Sequence, residues 1–159
     1  MSELDAYHEA GHAFMAVYVG ARVQQVTIEP AWDDGPRRYA DIQVRWPLRR
    51  FTPQELLEKQ ILVALAGPVA EMIHSGEPYH PGWVAEWSAD WQAAWEAAAH
   101  LVAEPKQRLR YLEAKTVQLY RLLDQTTNWA ALAAVVDELL AHETLDGEQV
   151  EETLRTWLH

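Results

Sequence analysis

The sequence predicts a mainly α-helical domain with a small β-hairpin or sheet in its N-terminal third. Apolar, Ala-rich segments with helix-capping signals fill the chain after Thr52, and another such segment lies at the N-terminus. Two short segments rich in β-branched residues lie between them. With 159 residues, 49% of them hydrophobic, the chain can bury one core, so we expect a single domain over 1–159.

The first helix is predicted from Leu4 to Val19. Ser2 and Asp5 resemble a capping box, and Gly20 is a natural end for the helix. The two segments that follow, RVQQVTIE and YADIQVRW, are predicted to be strands, because both are rich in β-branched residues and residues 41–46 of the second alternate strictly between polar and apolar. The turn-forming sequence PAWDDGPRR between them predicts a hairpin with a long loop.

The remainder of the chain is predicted to be helical. Thr52, Pro53 and Glu55 provide an N-cap, a first-turn proline and a capping-box acid, and Ser75-Gly76 ends that helix. Further helical segments are predicted at 81–103, at 105 to about 125 and at 128–142. The last helix opens at Asp146, with Gln149 as its capping partner, and runs to the C-terminus.

The composition excludes several classes of function. A net charge of −11 repels phosphate backbones and anionic lipid, so we expect no nucleic-acid partner. No segment is long and apolar enough to span a bilayer, and the N-terminus lacks signal-peptide features, so we expect no membrane insertion and a cytoplasmic location. The chain has no cysteine, so any transition-metal site must use histidine and carboxylate ligands.

The sequence HEAGH, from His8 to His12, matches the HExxH pattern. On a helix the two histidines lie one turn apart and can reach one ion, with Glu9 about 100° away. Two neutral imidazoles and a carboxylate hold zinc with one open position, where the pKa of a water falls to about 7 and Glu9 can accept its proton. An exposed pair of helical histidines is the alternative, but the small residues Ala10 and Gly11 favour a close neighbouring element.

A third ligand must come from later in the chain. If residues 82–103 form one helix, Asp90 is the only polar residue on an apolar face, and a buried carboxylate requires a cationic or hydrogen-bonding partner. If the helix starts at Ser88, Asp90 is an ordinary first-turn acid. Spacing alone gives these interpretations equal weight. The candidates are Glu71, His74, His80 and Asp90.

Glu71 has a second interpretation, as a residue that orients a ligand histidine. It shares a helix side with Ala64 and Gly67, which are small enough to admit a close neighbour. A surface salt bridge is equally well supported.

Two other patterns are consistent with substrate or partner binding. Tryptophans recur every four residues, and core packing is the favoured explanation of their spacing over a binding stripe. The strand around Ile42 to Trp46 can serve as an edge for an extended substrate, although a structural hairpin is the favoured interpretation. The tryptophans are Trp83, Trp87, Trp91 and Trp95.

Four segments, in chain order, resemble the peptidase domain of FtsH-type ATP-dependent zinc proteases: YHEAGHA, LAGPVAEMI, WSADWQAAWEAA and LLAHETLDGEQVEETL. The resemblance covers nearly the whole chain. It implies that His8, His12 and Asp90 are zinc ligands and that Glu9 is catalytic. The sequence departs from the family at Pro68, where the family usually has arginine, and in the tryptophan-rich segment before Asp90.

The expected function is therefore that of a zinc metallopeptidase, an endopeptidase that hydrolyses unfolded or flexible polypeptide with Glu9 as general base. The sequence has no GxxxxGK[ST] loop, so ATP-driven unfolding would require a separate ATPase chain. The resembling proteases are hexameric rings, which leaves a homo-oligomer open. The alternatives are a catalytically silent binding or assembly module, or a zinc hydrolase of non-peptide amides.

Overall fold

The computed structural model describes residues 3–29, 41–77 and 79–158, and it confirms a mainly helical fold with a small antiparallel sheet. The helices and strands of the described residues, in chain order, are α1 Glu3–Tyr18, β1 Arg22–Thr27, β2 Asp41–Arg45, α2 Pro53–Ser75, α3 Ser88–Ala99, α4 Pro105–Leu123, α5 Thr126–His142, β3 Thr144–Asp146 and α6 Gly147–Arg155.

Local capping chemistry sets the ends of α2 as predicted. The Thr52 hydroxyl accepts a bond from the Glu55 amide at 3.1 Å, and the Glu55 carboxylate accepts one from the Thr52 amide at 3.3 Å. Gly76 ends the helix in the left-handed conformation, with φ of 76°. The first helix also ends before a left-handed glycine, Gly20, while the predicted cap at Ser2 lies outside the described residues.

The sheet has three antiparallel strands in the order β2-β1-β3. The predicted pairing of β1 with β2 is confirmed, and the predicted loop between them, residues 30–38, lies outside the described residues. The third strand was not predicted. It is only three residues long, and it is defined by distant pairing, such as that of Leu145 with Val26.

The prediction of one helix over 81–103 is wrong. Two short 3₁₀ turns, Pro81–Trp83 and Ala85–Trp87, precede α3, and Val84 between them is extended. The helix starts at Ser88, which confirms the alternative start that the sequence left open. The turns bury Trp87, which is 5% exposed, and leave Trp83 83% exposed, so the tryptophans do not form one stripe.

The other helices agree with the sequence to within a few residues. The helix predicted to start at 128 begins at Thr126, and the one predicted to end near 125 ends at Leu123. Asp146 and Gln149 form the predicted capping box, with bonds of 2.8 and 2.9 Å. The last helix stops at Arg155, short of the C-terminus.

Helix α1 lies at the centre of the fold, packed against α2, α5 and β1. Its contact with α2 is unusually close at Gly11, where a Cβ would lie 2.5 Å from the Ala66 carbonyl oxygen and 2.7 Å from the Ala70 Cβ. The prediction that small residues in HEAGH allow another element to approach closely is therefore confirmed at Gly11, and the element is α2. This close approach brings the HEAGH sequence against the middle of α2.

Within the described ranges, no helix has the length and apolar character that a membrane span requires.

Candidate metal centre

The two histidines of HEAGH share the face of α1 that meets α2. Gly67 lies directly against them: a Cβ there would be 2.4 Å from His12 Nε2 and 2.8 Å from His8 Nε2. Real side chains do not approach so closely, so only glycine at this position leaves room for both imidazoles. The sequence marked Gly67 as small but did not predict that it forms the floor of the site.

Each imidazole is fixed by a hydrogen bond at its Nδ1 atom. His12 Nδ1 lies 2.6 Å from the carbonyl oxygen of Val63, which can only accept, so Nδ1 carries the hydrogen. His8 Nδ1 lies 2.6 Å from Glu71 Oε2 and donates to this carboxylate. In the neutral rings both Nε2 atoms therefore present a lone pair, which is the arrangement that metal-binding histidines require.

The two Nε2 atoms and one oxygen of Asp90 converge on one point. His8 Nε2 lies 3.1 Å from His12 Nε2, and Asp90 Oδ2 lies 2.7 Å from the first and 3.4 Å from the second. Asp90 occupies the first turn of α3, where the helix dipole favours a carboxylate. The two interpretations that the sequence left open are therefore compatible, since Asp90 is a first-turn acid and also faces the histidines.

The electrostatics of this cluster favour positive charge between the three side chains. Burial lowers the pKa of His8, but hydrogen bonds to Asp90 and Glu71 outweigh it and raise that pKa to about 10. Burial also opposes the charged form of His12, yet the charge of Asp90 leaves its pKa raised. The Asp90 carboxyl shows the converse: burial raises its pKa, but His12 and His8 hold it below the usual range. A proton or a metal ion is what such a cluster stabilises.

Glu9 lies between the two histidines in sequence and is buried, with 5% exposure. Its negative charge contributes to the raised pKa of both His8 and His12, after burial and the effect of Asp90, so its carboxylate lies within electrostatic reach of both rings. A buried carboxylate beside a potential metal site is the arrangement that general-base catalysis requires.

Glu71 joins His8 and Trp87 in one hydrogen-bond network. Its Oε2 atom accepts from His8 Nδ1 and also from the indole nitrogen of Trp87, each at 2.6 Å. The position of Glu71 agrees with an orienting role. The bond from Trp87 to Glu71 was not predicted. The sequence predicted a helix where Trp87 instead lies in a 3₁₀ turn, and this turn places its indole beside Glu71.

The other two candidate ligands lie elsewhere. His74 stacks on Tyr7, with 3.8 Å between ring centroids. His80 caps the first 3₁₀ turn and pairs with Glu113 at 3.2 Å. Among the described residues, only one group of three or more His, Asp or Glu side chains has the spacing of a metal site, and its members are His8, His12 and Asp90.

The size of the donor triangle tests the fit of a zinc ion. Three ligands about 2 Å from a tetrahedral zinc lie about 3.3 Å from one another. Two of the observed separations, 3.1 and 3.4 Å, are close to that value, and the 2.7 Å between His8 Nε2 and Asp90 Oδ2 would have to lengthen by about 0.6 Å. Two imidazoles and one carboxylate, in a chain without cysteine, are also a donor set that zinc accepts, and they leave a fourth position for water or substrate.

No protein-family model matches the sequence, and a comparison with curated proteins gives no match. The resemblance to FtsH-type peptidases therefore rests on the four motifs alone.

Proposed function

We propose that this protein is a zinc-dependent endopeptidase that hydrolyses unfolded or flexible polypeptide segments, and that it is related to the peptidase domain of FtsH-type proteases. One observation carries the proposal. Two imidazole nitrogens and a carboxylate oxygen meet within 3.4 Å, which is unfavourable unless a proton or, as we propose, a metal cation lies between them. His8, His12 and Asp90 would hold that cation.

When bound, zinc supplies Lewis acidity, which lowers the pKa of a coordinated water to about 7 and polarises the carbonyl of an amide. The protein supplies the proton transfers. Glu9 accepts the proton of the attacking water and delivers it to the leaving nitrogen, so that the amide bond breaks without a covalent enzyme intermediate. Glu71 and the Val63 carbonyl keep the imidazoles in the required orientation.

The position of Glu9 favours an enzyme over a purely structural zinc site or a binding module. A structural site or a binding module needs no base, whereas hydrolysis needs a carboxylate that can accept the proton of the attacking water. Glu9 is only 5% exposed, and it adjoins the proposed ligand His8 in sequence. The choice of peptide over other amides rests on the resemblance to FtsH-type peptidases.

Substrate access and location are part of the same proposal. A peptidase site of this type acts on chains that are already unfolded, or on flexible loops and peptides. A separate ATPase chain is needed only if folded proteins are to be degraded. We propose that the protein acts in the cytoplasm.

The test combines metal analysis of the purified protein with cleavage of unfolded casein, with and without a chelator. We expect one zinc per chain, cleavage that the chelator abolishes and zinc restores, and a loss of about 10²- to 10⁴-fold in turnover for Glu9→Gln at unchanged zinc content. Glu96→Gln, an exposed acid on α3, is the matched control and keeps full turnover.

Two results would redirect the proposal. Full zinc occupancy without cleavage of any unfolded substrate would indicate a binding module. Hydrolysis of small amides that depends on Glu9, with casein left intact, would indicate a hydrolase of non-peptide amides.

A further inference from the structure

A second charged feature lies where the β1–β2 hairpin meets the turn before α2. Four arginines and three apolar side chains line a cleft of about 720 Å³ there. We call it the arginine cleft; its principal residues are Arg22, Arg45, Trp46, Leu48, Arg49 and Arg50. It contains four of the thirteen basic residues of a chain whose net charge is −11.

Two of these arginines oppose each other directly. Arg22 and Arg45 are paired positions of antiparallel β1 and β2, and both are exposed. Side chains at such positions lie on the same sheet face with Cβ atoms about 5 Å apart, and like charges there are destabilising. An anion between the two guanidinium groups would convert this repulsion into attraction.

The molecule does not itself provide that anion among its described side chains. Within residues 3–29, 41–77 and 79–158, no salt bridge or hydrogen bond joins any of the four guanidinium groups to another side chain. The sequence shows why: residues 10–28 and 42–54, the two segments that form the cleft, contain no acidic residue, although the chain has 24.

The cleft also has an apolar part. Leu48 is 66% exposed, and Trp46 beside it is only partly buried. Strand β2, which contributes Arg45, is at an edge of the sheet in the described structure. An edge strand can pair with the backbone of an extended chain, whose alternate side chains then reach the same face.

We propose that the arginine cleft binds an extended polypeptide segment that carries alternating carboxylates. The edge strand supplies backbone pairing, the arginines bind the carboxylates, and Leu48 and Trp46 pack against the apolar parts of the ligand. A peptide fits better than a nucleic acid or an anionic membrane, because a chain with net charge −11 repels a polyanion at long range but repels a few carboxylates only weakly.

The proposal does not depend on the metal centre. The cleft adjoins the C-terminal end of α1, where Gly20 faces Arg50 and Phe51. The helix ends at Tyr18, six residues and about 9 Å beyond His12, and Gly20 lies just past that end. If the protein cleaves polypeptides, the cleft would hold the substrate at a second place.

The probe is a fluorescein-labelled peptide of about ten residues that alternates glutamate and threonine; in its matched control every glutamate is glutamine. Anisotropy is measured on the Glu9→Gln protein with chelator present, so that cleavage does not interfere. We expect the glutamate peptide to bind in low salt, to weaken in high salt, and to bind at least about tenfold more tightly than the glutamine peptide.

Substitutions should localise the binding. Arg45→Gln and Arg49→Gln are each expected to weaken it by about threefold, and the triple change that includes Arg50 by at least about tenfold. Arg110→Gln and Arg155→Gln, exposed arginines on α4 and α6, are the controls and change it less than twofold. Arg22→Gln should in addition raise the urea midpoint of the unliganded protein, because it relieves the repulsion with Arg45.

Three results would overturn the proposal. Equal binding of the glutamate and glutamine peptides would show that charge is not recognised. Equal weakening by the control arginines would show that the cleft is not the site. Tighter binding of a labelled oligothymidylate than of the peptide would assign the arginines to nucleic acid instead. None of these results bears on zinc content or casein cleavage, so the two proposals fail separately.

Discussion

Gly67 and His12 lie so close together that a methyl group on Gly67 would occupy the space of the imidazole. The Cβ of an alanine at 67 would be 2.4 Å from His12 Nε2, the atom proposed to bind the metal. We therefore expect Gly67→Ala to displace His12 and to lower zinc affinity by more than about 100-fold, beyond the usual effect of an outer residue. Competition with a chromogenic chelator measures this affinity.

The control for Gly67→Ala is Gly82→Ala. At position 82 a Cβ would meet the side chains of Trp91, at 3.0 Å, and of His80, at 3.2 Å, and neither residue belongs to the proposed metal centre. We expect zinc affinity within twofold of wild type for this variant. If Gly67→Ala bound zinc as tightly as wild type, the histidines would not hold the metal in the arrangement described.

Glu71 is expected to act by orienting His8, and a graded series of substitutions can separate orientation from charge. Glu71→Ala removes the acceptor for His8 Nδ1 and should lower zinc affinity by about 10- to 100-fold. Glu71→Gln keeps an oxygen acceptor while removing the charge, so it should recover part of that loss. Equal losses for the two variants would show that the charge alone matters.

Trp87→Phe tests the far end of the same network. It removes the indole N–H that bonds to Glu71 but keeps a buried aromatic ring. We expect zinc affinity to fall by several-fold and the absorption spectrum of the Co²⁺-substituted protein to change, because His8 is less firmly oriented. Trp83→Phe is the control, since Trp83 is 83% exposed, and it should leave both measurements unchanged.

Asp90→Asn is expected to reduce the zinc content of the purified protein well below one per chain. The substitution keeps the size of the side chain but removes the negative charge that lies 2.7 Å from His8 Nε2. Asp124→Asn, an exposed change at the end of α4, is the control and should leave zinc content unchanged. Full zinc occupancy in Asp90→Asn would remove this residue from the ligand set.

Much of the fold was predictable because short-range chemistry determines it. Thr52 and Glu55 cap α2 through bonds between residues three apart, and Asp146 and Gln149 do the same for α6. Such signals depend on neighbouring residues in the sequence, so a single sequence contains them. The spacing of His8 and His12 is a signal of the same kind.

The features that could not be predicted depend on residues far apart in the chain. Spacing alone could not decide whether α3 starts at residue 82 or at Ser88, and the later start comes with contacts between distant residues, the burial of Trp87 and its bond to Glu71. The acceptor for His12 is the backbone carbonyl of Val63. Because every residue has a backbone carbonyl, the sequence does not indicate which one accepts this bond. The geometry of the metal centre thus required the three-dimensional structure.

The junction between β3 and α6 gives a final prediction, about stability. Gly147 begins α6 directly beneath β1, and a Cβ at this position would lie only 1.8 Å from the carbonyl oxygen of Val23. Gly147→Ala must therefore push the helix away from the strand or shift the strand itself, and we expect the free energy of unfolding to fall by about 2–3 kcal/mol. Urea denaturation of the metal-free protein measures this free energy.

Glu152→Ala, an exposed change on the same helix, is the control and should stay within about 0.5 kcal/mol of wild type. Because the short strand β3 pairs with β1 through Leu145 and is continuous with α6, the same change should also speed amide exchange in β3. An alanine variant as stable as wild type, with unchanged exchange, would mean that α6 does not pack on β1 as described.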